Sequence, residues 1–342
     1  MSRFKPNKNM TFAEWYEWWY ASYMSAGRRD VTLAKYQAGL KRFKKYGLGQ
    51  FKLTAIDRGN IQEYVNELGR VYRKQTMLDH LQTVRSSLTD AVQDGWIKVN
   101  PALRIDLVSM EDFMSVDELK KIRNEKKSLE LDEYYRLVSF LEYLFKQMIA
   151  KGDSAPKQRV VMTVGIYFLA KTGARFAEML GVSLSDVDLT KREIRIEKTF
   201  NYKKSSGGFE KTKNLASIRT IGIDNEFASL LSEYLNWVEQ YDVDIDPSAI
   251  FVIRKGRPFN STYNKFLEEI LKTIGIERLT LHKLRHTHAS ILIAEKVPLQ
   301  VIAKRLGHTD TNMIQRTYGH LLESTKEEGN KLVLEILGGE KC

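Results

Sequence analysis

Apolar residues recur through the first hundred positions with the three- and four-residue spacing of amphipathic helices. Thr11 and Glu14 form a capping-box pattern, and the Trp15, Trp18 and Trp19 that follow share one helical face. Such a stripe predicts a core-packing or helix-docking face ahead of a base-stacking platform. A second helix is expected through VTLAKYQAGLKRFKKYG, ending near Gly47. A third, capped by Asp57, covers RGNIQEYVNELG, and a fourth covers KQTMLDHLQTVRSSLTDAVQDG before Gly95. Asn100-Pro101 closes this unit, because a residue before proline is biased away from helix. Four short helices without a strand pattern predict a compact helical bundle over residues 1–105, then a linker at 106–114.

A second capping box, Ser115 with Glu118, marks the start of a larger domain expected over residues 115–342. The charge-dense segment 120–136 reads as a solvated helix or surface excursion. Helical periodicity returns in LVSFLEYLFKQMIA and in VVMTVGIYFLAKTGA, where Val161, Val164 and Phe168 line one face; Gly173 breaks that helix and Arg175 opens the next. REIRIEKT alternates Ile194 and Ile196 with charges, as a half-buried strand does, and SIRTIGI repeats the trend less regularly with Ile218 and Ile221. The Gly/Ser/Lys-rich stretch between them predicts a small antiparallel sheet with Lys211 at or near a turn. IFVI is a candidate short strand, and PLQVIAKRLGH a helix with Leu299, Ile302 and Leu306 on one face that stops at Gly307. The fold class is mainly α, a helical bundle followed by a mostly α domain with a small antiparallel sheet.

Composition narrows the partner. A chain of 342 residues with 43% hydrophobic and 28% charged residues can bury a substantial core, and its net charge of +11 favours a polyanion. Lys41, Arg42, Lys44 and Lys45, in the last turns of the second helix, suit either its C-terminus or a DNA backbone, and Lys203 and Lys204 lie in the lysine-rich stretch between the strands. The single cysteine, Cys342, excludes an internal disulfide framework and a cysteine-based zinc site. No run approaches the ~20 apolar residues of a membrane span, and MSRFKPNKNM lacks the apolar core of a signal peptide. A cytoplasmic, nucleoid-associated protein without a membrane partner is expected.

The candidate chemistry is a set of phosphate-handling side chains: Arg175 in TGARFAEML, Lys211 in EKTKNLASIRT, His282 and Arg285 in LHKLRHTH, His308 in RLGH and Tyr318 in RTYGH. Taken singly each has an ordinary explanation. Arg175 and Glu178 make a surface ion pair at helical spacing, His282 suits a core, His308 follows a helix-ending glycine, and Tyr318 is one of 16 tyrosines. Their joint order changes the weighting. His308 lies 23 positions after Arg285 and Tyr318 a further 10 on, short enough for adjacent helices to bring them to one pocket. Two arginines, a lysine and two histidines around a tyrosine supply charge clamps, proton carriers and a nucleophile without metal or other cofactor. His286 and His288 invite a metal reading, but two residues apart they face different sides of a helix, so no metal site is assigned.

The order arginine, lysine, HxxR, LGH, tyrosine resembles the tyrosine recombinase (phage-integrase) family. The TGxRxxE context of Arg175 and the KTKNLASIRTI hairpin match as well, and the helical first domain is similar to the family's SAM-like core-binding domain. The resemblance implies a metal- and ATP-independent transesterification. Arg175 and Arg285 would bind the scissile phosphate while Tyr318 attacks to give a 3′-phosphotyrosine and a free 5′-hydroxyl. His282 would accept the tyrosine proton, Lys211 would protonate the leaving oxygen, His308 would donate to a nonbridging oxygen, and Glu178 would support the pocket. It further implies double-stranded DNA attachment sites as partner, a monomer when free, a homo-tetramer on two duplexes passing through a Holliday junction, and accessory DNA-bending or directionality factors. The apolar Leu332, Leu334, Ile336 and Leu337 would dock on a neighbouring subunit or on their own domain. LGHTDTNMIQRTYGHL is most similar to Gram-positive prophage and mobile-element integrases, which favours integration and excision over Xer-like resolution of chromosomes or plasmids. Only about ten residues precede the first capping box, where directional integrases usually carry an arm-type DNA-binding domain, as expected of a two-domain enzyme or a truncated chain. A type IB-like topoisomerase and a catalytically silent DNA-binding protein are the competing readings.

Overall fold

The structure, a computed structural model, describes residues 6–24, 30–123, 126–203, 207–212, 215–254, 258–319, 333–334 and 337. Two compact units divide the chain, Met1–Glu125 and Lys126–Cys342.

The first unit contains α1 (Phe12–Trp19), α2 (Asp30–Lys45), α3 (Arg58–Gly69), α4 (Lys74–Gln93) and α5 (Val116–Arg123). The caps expected at Thr11 and Asp57 form. The Thr11 amide donates to Glu14 at 2.7 Å, and the Asn60 amide donates to Asp57 at 2.8 Å. Trp15 and Trp19 are fully buried, each indole N–H finding an acceptor, the Ser87 carbonyl at 3.0 Å and the Asp90 carboxylate at 2.5 Å. An indole N–H left unpaired there would cost ~1–3 kcal/mol. The tryptophan stripe is therefore core, shared with Phe43, Tyr64 and Leu88.

The stretch expected as a linker differs from that expectation. The Gln62 amide group donates to the Asp106 carbonyl and its oxygen accepts from the Asp106 amide, both at 2.9 Å, and the Met110 amide donates to the Tyr72 carbonyl at 2.9 Å. Ala102 and Ile105 join the first core. Backbone groups that a free linker would give to water are thus paired with α3 and the turn after it. α5, capped by Ser115 and Glu118, also belongs to the first unit, and the second begins at Lys126.

In the second unit, α6 (Leu131–Ile149) and α7 (Lys157–Thr172) lead to a short α8 (Phe176–Leu180). α7 does not show the single apolar face expected of it: every residue from Val160 to Ala170 is buried. A helix apolar all round is a central one, and α7 packs against α6, α9 (Asn225–Gln240), α10 (Asn260–Thr273), α11 (Leu281–Ala294) and the strand Ala249–Ile253. The strands are β1 (Val187–Asp188), β2 (Glu193–Ile196), β3 (Lys198–Phe200), β4 (Phe209–Lys211), β5 (Arg219–Gly222), β6 (Ile245–Asp246) and β7 (Ala249–Ile253). β1, β2 and β5 form an antiparallel sheet in that order, with Ile194 opposite Ile221 and Ile196 opposite Arg219. Period-two alternation from Ile221 turns Arg219 inward and leaves Ile218 43% exposed, where the sequence pattern suggested Ile218 as the inward partner. β3 and β4 pair separately and place Lys211 opposite Lys198 at the hairpin's open end.

α12 (Leu299–Leu306) stops at Gly307, and residues 312–319 form a further helix, α13. Ala289, Ile293, Ile302, Leu306, Ile314 and Tyr318 make a satellite core that holds α13 against α11 and α12.

Candidate active site

Two left-handed glycines set the backbone from which the site is built. Gly173, φ 65°, ends α7 with its amide donating to Leu169 at 3.0 Å, and two residues later Arg175 caps α8. Gly307, φ 70°, ends α12 in a Schellman motif: its amide donates to Lys304 at 3.1 Å, and that of His308 to Ala303 at 2.9 Å. A Cβ on Gly307 would lie 2.9 Å from Arg219 Nη1 and 3.2 Å from the Ser217 Cα. Gly307→Ala is therefore expected to cost about 1–3 kcal/mol in denaturant unfolding, from the left-handed backbone and the crowding of Arg219.

Both helix ends aim carbonyls at Arg285. Its Nη1 donates to the Gly173 carbonyl at 2.8 Å, and its Nη2 to the Leu306 carbonyl at 2.7 Å. The negative ends of α7 and α12 thus orient a buried cation. Burial first, then Arg175, lowers its affinity for a proton, so that an arriving anion would relieve an existing penalty. Nη2 also donates to His308 Nε2 at 2.7 Å. Arginine cannot accept a hydrogen bond, so His308 carries its hydrogen on Nδ1. That Nδ1 is buried and has no hydrogen-bond partner among the described residues. Burial, Arg285 and Arg175 pull the His308 pKa down to about 4, so the ring is neutral and presents one unused N–H donor.

Arg175 is held from behind. Glu178 accepts from the Arg175 amide at 3.0 Å and from its Nη1 at 2.7 Å, while the Arg175 side chain remains 40% exposed. The buried Glu178 also pairs with the buried Arg219 at 2.9 Å. Burial acts to raise the Glu178 pKa, but Arg219 and Arg175 outweigh it and hold the carboxyl below its ordinary value. Arg219 further donates from Nε to the Arg305 carbonyl at 2.6 Å and from Nη1 to the Ser217 carbonyl at 3.0 Å. Nothing in the motif order pointed to Arg219. The available signal was a charge at an inward strand position.

α11 brings the remaining groups together. His282, Arg285 and His286 lie within a little over one turn, and the Tyr318 hydroxyl is 2.7 Å from His286 Nδ1. In the sequence His286 reads only as a metal-ligand candidate. His282, assigned by resemblance as the proton acceptor, packs edge-on against His286 with ring centroids 5.0 Å apart. Burial and then Arg285 lower the His282 pKa. Tyr318 is 6% exposed, and burial, partly offset by Arg285, pushes its pKa up to about 12. A cavity of about 250 Å³ opens on it between Ser128, His282, His286, Ser290 and Thr317. His288 is engaged elsewhere: Arg305 Nε donates to its Nε2 at 2.9 Å, and its Nδ1 lies 3.2 Å from the Ala170 carbonyl.

Of the remaining candidates, Lys211 is described only in its backbone, at the end of β4, and Lys204 lies outside the described residues. Lys203 and Lys41 are exposed. Arg42 sits 5.0 Å from the Tyr72 ring centroid, Lys45 4.9 Å from that of Tyr46, and Lys44 3.8 Å from Glu17. Leu334 and Leu337 are 71% and 79% exposed, whereas Leu332 and Ile336 lie outside the described residues. No described helix is long and apolar enough to cross a membrane.

Comparison with known proteins places this geometry. The Phage integrase family matches residues 127–325, and the Phage integrase SAM-like domain matches residues 11–105. The integrase of Staphylococcus phage L54a is 25% identical over 334 residues, covering 94% of this chain and 92% of that protein. Among solved structures, the Tn1549 transposon integrase in complex with transposon right end DNA superposes with a TM-score of 0.73 at 16% identity, over 95% of this chain and 100% of that one. A lambda integrase tetramer bound to a Holliday junction gives a TM-score of 0.59 at 17% identity, over 88% and 75%.

Proposed function

We propose that this chain, which belongs to the phage integrase family, performs strand transfer with Tyr318 as nucleophile and Arg175, Arg285 and His308 as the phosphate clamp. It is a tyrosine-type site-specific DNA recombinase that cleaves and rejoins DNA in integrating or excising a mobile element, and it acts on DNA as a multimer. The observation that carries the site assignment is that one helix, α11, reaches both halves of it, Arg285 touching His308 and His286 touching Tyr318.

The scissile phosphate enters against Arg285 and the exposed face of Arg175, whose fork Glu178 orients. The unused His308 Nδ1–H donates to a nonbridging oxygen and is thereby satisfied. Tyr318 Oη attacks phosphorus, forming the 3′-phosphotyrosine while the bond to the 5′-oxygen breaks. The tyrosine proton passes to His282, and Lys211 protonates the departing oxygen. One phosphoester replaces another, so the bond energy is retained for attack by the partner strand's 5′-hydroxyl. The free chain is monomeric, assembles as a tetramer on two duplexes, and works in the cytoplasm on the nucleoid with DNA-bending or directionality factors. Lys41, Arg42, Lys44, Lys45, Lys203 and Lys204 contribute backbone contacts.

The test is incubation with nicked duplexes carrying the ends of the element, without ATP and with excess EDTA. Covalent complex is expected on few sequences, at a rate chelator leaves unchanged, and with binding that weakens steeply as salt rises. Attachment to most duplexes would indicate a topoisomerase, and loss of cleavage in EDTA would contradict the side-chain mechanism.

A further inference from the structure

His286 has no part in the chemistry assigned above, yet it is the group that hydrogen-bonds the Tyr318 hydroxyl among the described residues, at 2.7 Å through Nδ1. It lies one turn beyond His282 on α11, and its ring stands edge-on to that of His282 at 89°. We propose that His286 is a positioning residue for the nucleophile: its Nδ1 accepts the hydrogen bond of the Tyr318 hydroxyl and holds the phenol docked in its own subunit, aligned for the incoming phosphate. The inference rests on the reading of Tyr318 as nucleophile.

The satellite core fixes the tyrosine ring through Ile302, Leu306 and Ile314 but contributes only apolar side chains, so it cannot orient the hydroxyl. A polar partner is needed for that, and His286 is in place. The phenol keeps its proton, its pKa being pushed up to about 12, and has a hydrogen to donate. The imidazole stays neutral because burial, His282, Arg285 and Lys283 all act against a charge on it. A neutral ring with an unprotonated Nδ1 suits the role of hydrogen-bond acceptor for the phenol. His282 packs edge-on against the ring that aims the nucleophile.

Single-turnover cleavage of a nicked suicide duplex tests this, with DNA affinity and the site of attachment measured for each protein. Asparagine places its amide oxygen where Nδ1 lies, whereas glutamine reaches the position of Nε2. His286→Ala and His286→Gln are expected to slow cleavage by about 10- to 100-fold at unchanged DNA affinity, the scale of a misaligned nucleophile. His286→Asn should recover most of the rate. An unchanged rate in His286→Ala overturns the proposal, as does an asparagine variant as slow as the glutamine one, which would make the ring a base or a packing element. Should His286→Ala fail to fold, the asparagine–glutamine comparison decides alone. Attachment of wild-type protein through a residue other than Tyr318 would defeat the underlying reading. Attachment at Tyr318 with no His286 effect would defeat this inference only.

Discussion

Tyr318→Phe is expected to abolish covalent attachment to DNA, lowering the single-turnover cleavage rate by on the order of 10⁴-fold or more while leaving DNA binding intact. The substitution removes one oxygen and retains the ring that packs with Ile302, Leu306 and Ile314. Its structural cost is the hydrogen bond to half-buried His286, about 1 kcal/mol, so the second unit stays folded. In the proposed clamp Arg175 and Arg285 still meet phosphate, which keeps affinity and its salt dependence in place. Denaturing gels of labelled suicide duplex measure the loss, and filter binding measures the retained affinity.

The second large effect is on stability. Glu178→Ala is expected to cost about 3–5 kcal/mol, because it leaves the buried Arg219 without its carboxylate, and Arg219→Met less than that, because Glu178 keeps Arg175 as a partner. Glu178→Met combined with Arg219→Met should recover much of that, since two apolar side chains of similar volume replace two buried charges. The pH dependence has a definite sign. The folded-state pKa of Glu178 is lowered below its ordinary value of about 4.3. Its contribution is therefore fully present above that value and is lost as pH falls through the folded pKa. Arg219→Met removes the larger of the two opposing cations and leaves Arg175, so the Glu178 pKa rises and the acid loss shrinks. Denaturant unfolding at neutral pH and near pH 4 separates these outcomes. If Arg219→Met matched wild type in stability, the network behind Arg175 would have been misread.

The parts of this molecule that were legible in its sequence are those governed by local chemistry. Thr11 with Glu14 and Asp57 with Asn60 are short-range exchanges of hydrogen bonds, and Gly173 and Gly307 end helices because the left-handed conformation costs glycine nothing. Arg175, Arg285, His308 and Tyr318 were legible as a candidate set for a different reason: a transesterification by side chains would impose its residue types together. What escaped was set by tertiary placement. α7 reads as amphipathic because periodicity does not reveal that a helix will be enclosed on every side. Arg219 reads as one more basic residue until the register of β5 turns it toward Glu178. Residues 106–114 read as a linker because the partners of Asp106 and Met110, Gln62 and Tyr72, lie more than thirty positions away. His286 reads as a surplus histidine because its contact with Tyr318 spans 32 residues and depends on the packing of α13.

The most direct measurement of the central claim is the chemical identity of the protein–DNA bond. Wild-type protein trapped on a nicked duplex of the element's end, digested and analysed by tandem mass spectrometry, should yield one peptide carrying a 3′-phosphoryl nucleotide on Tyr318. Attachment through any other side chain, or through a 5′-phosphate, would contradict the account.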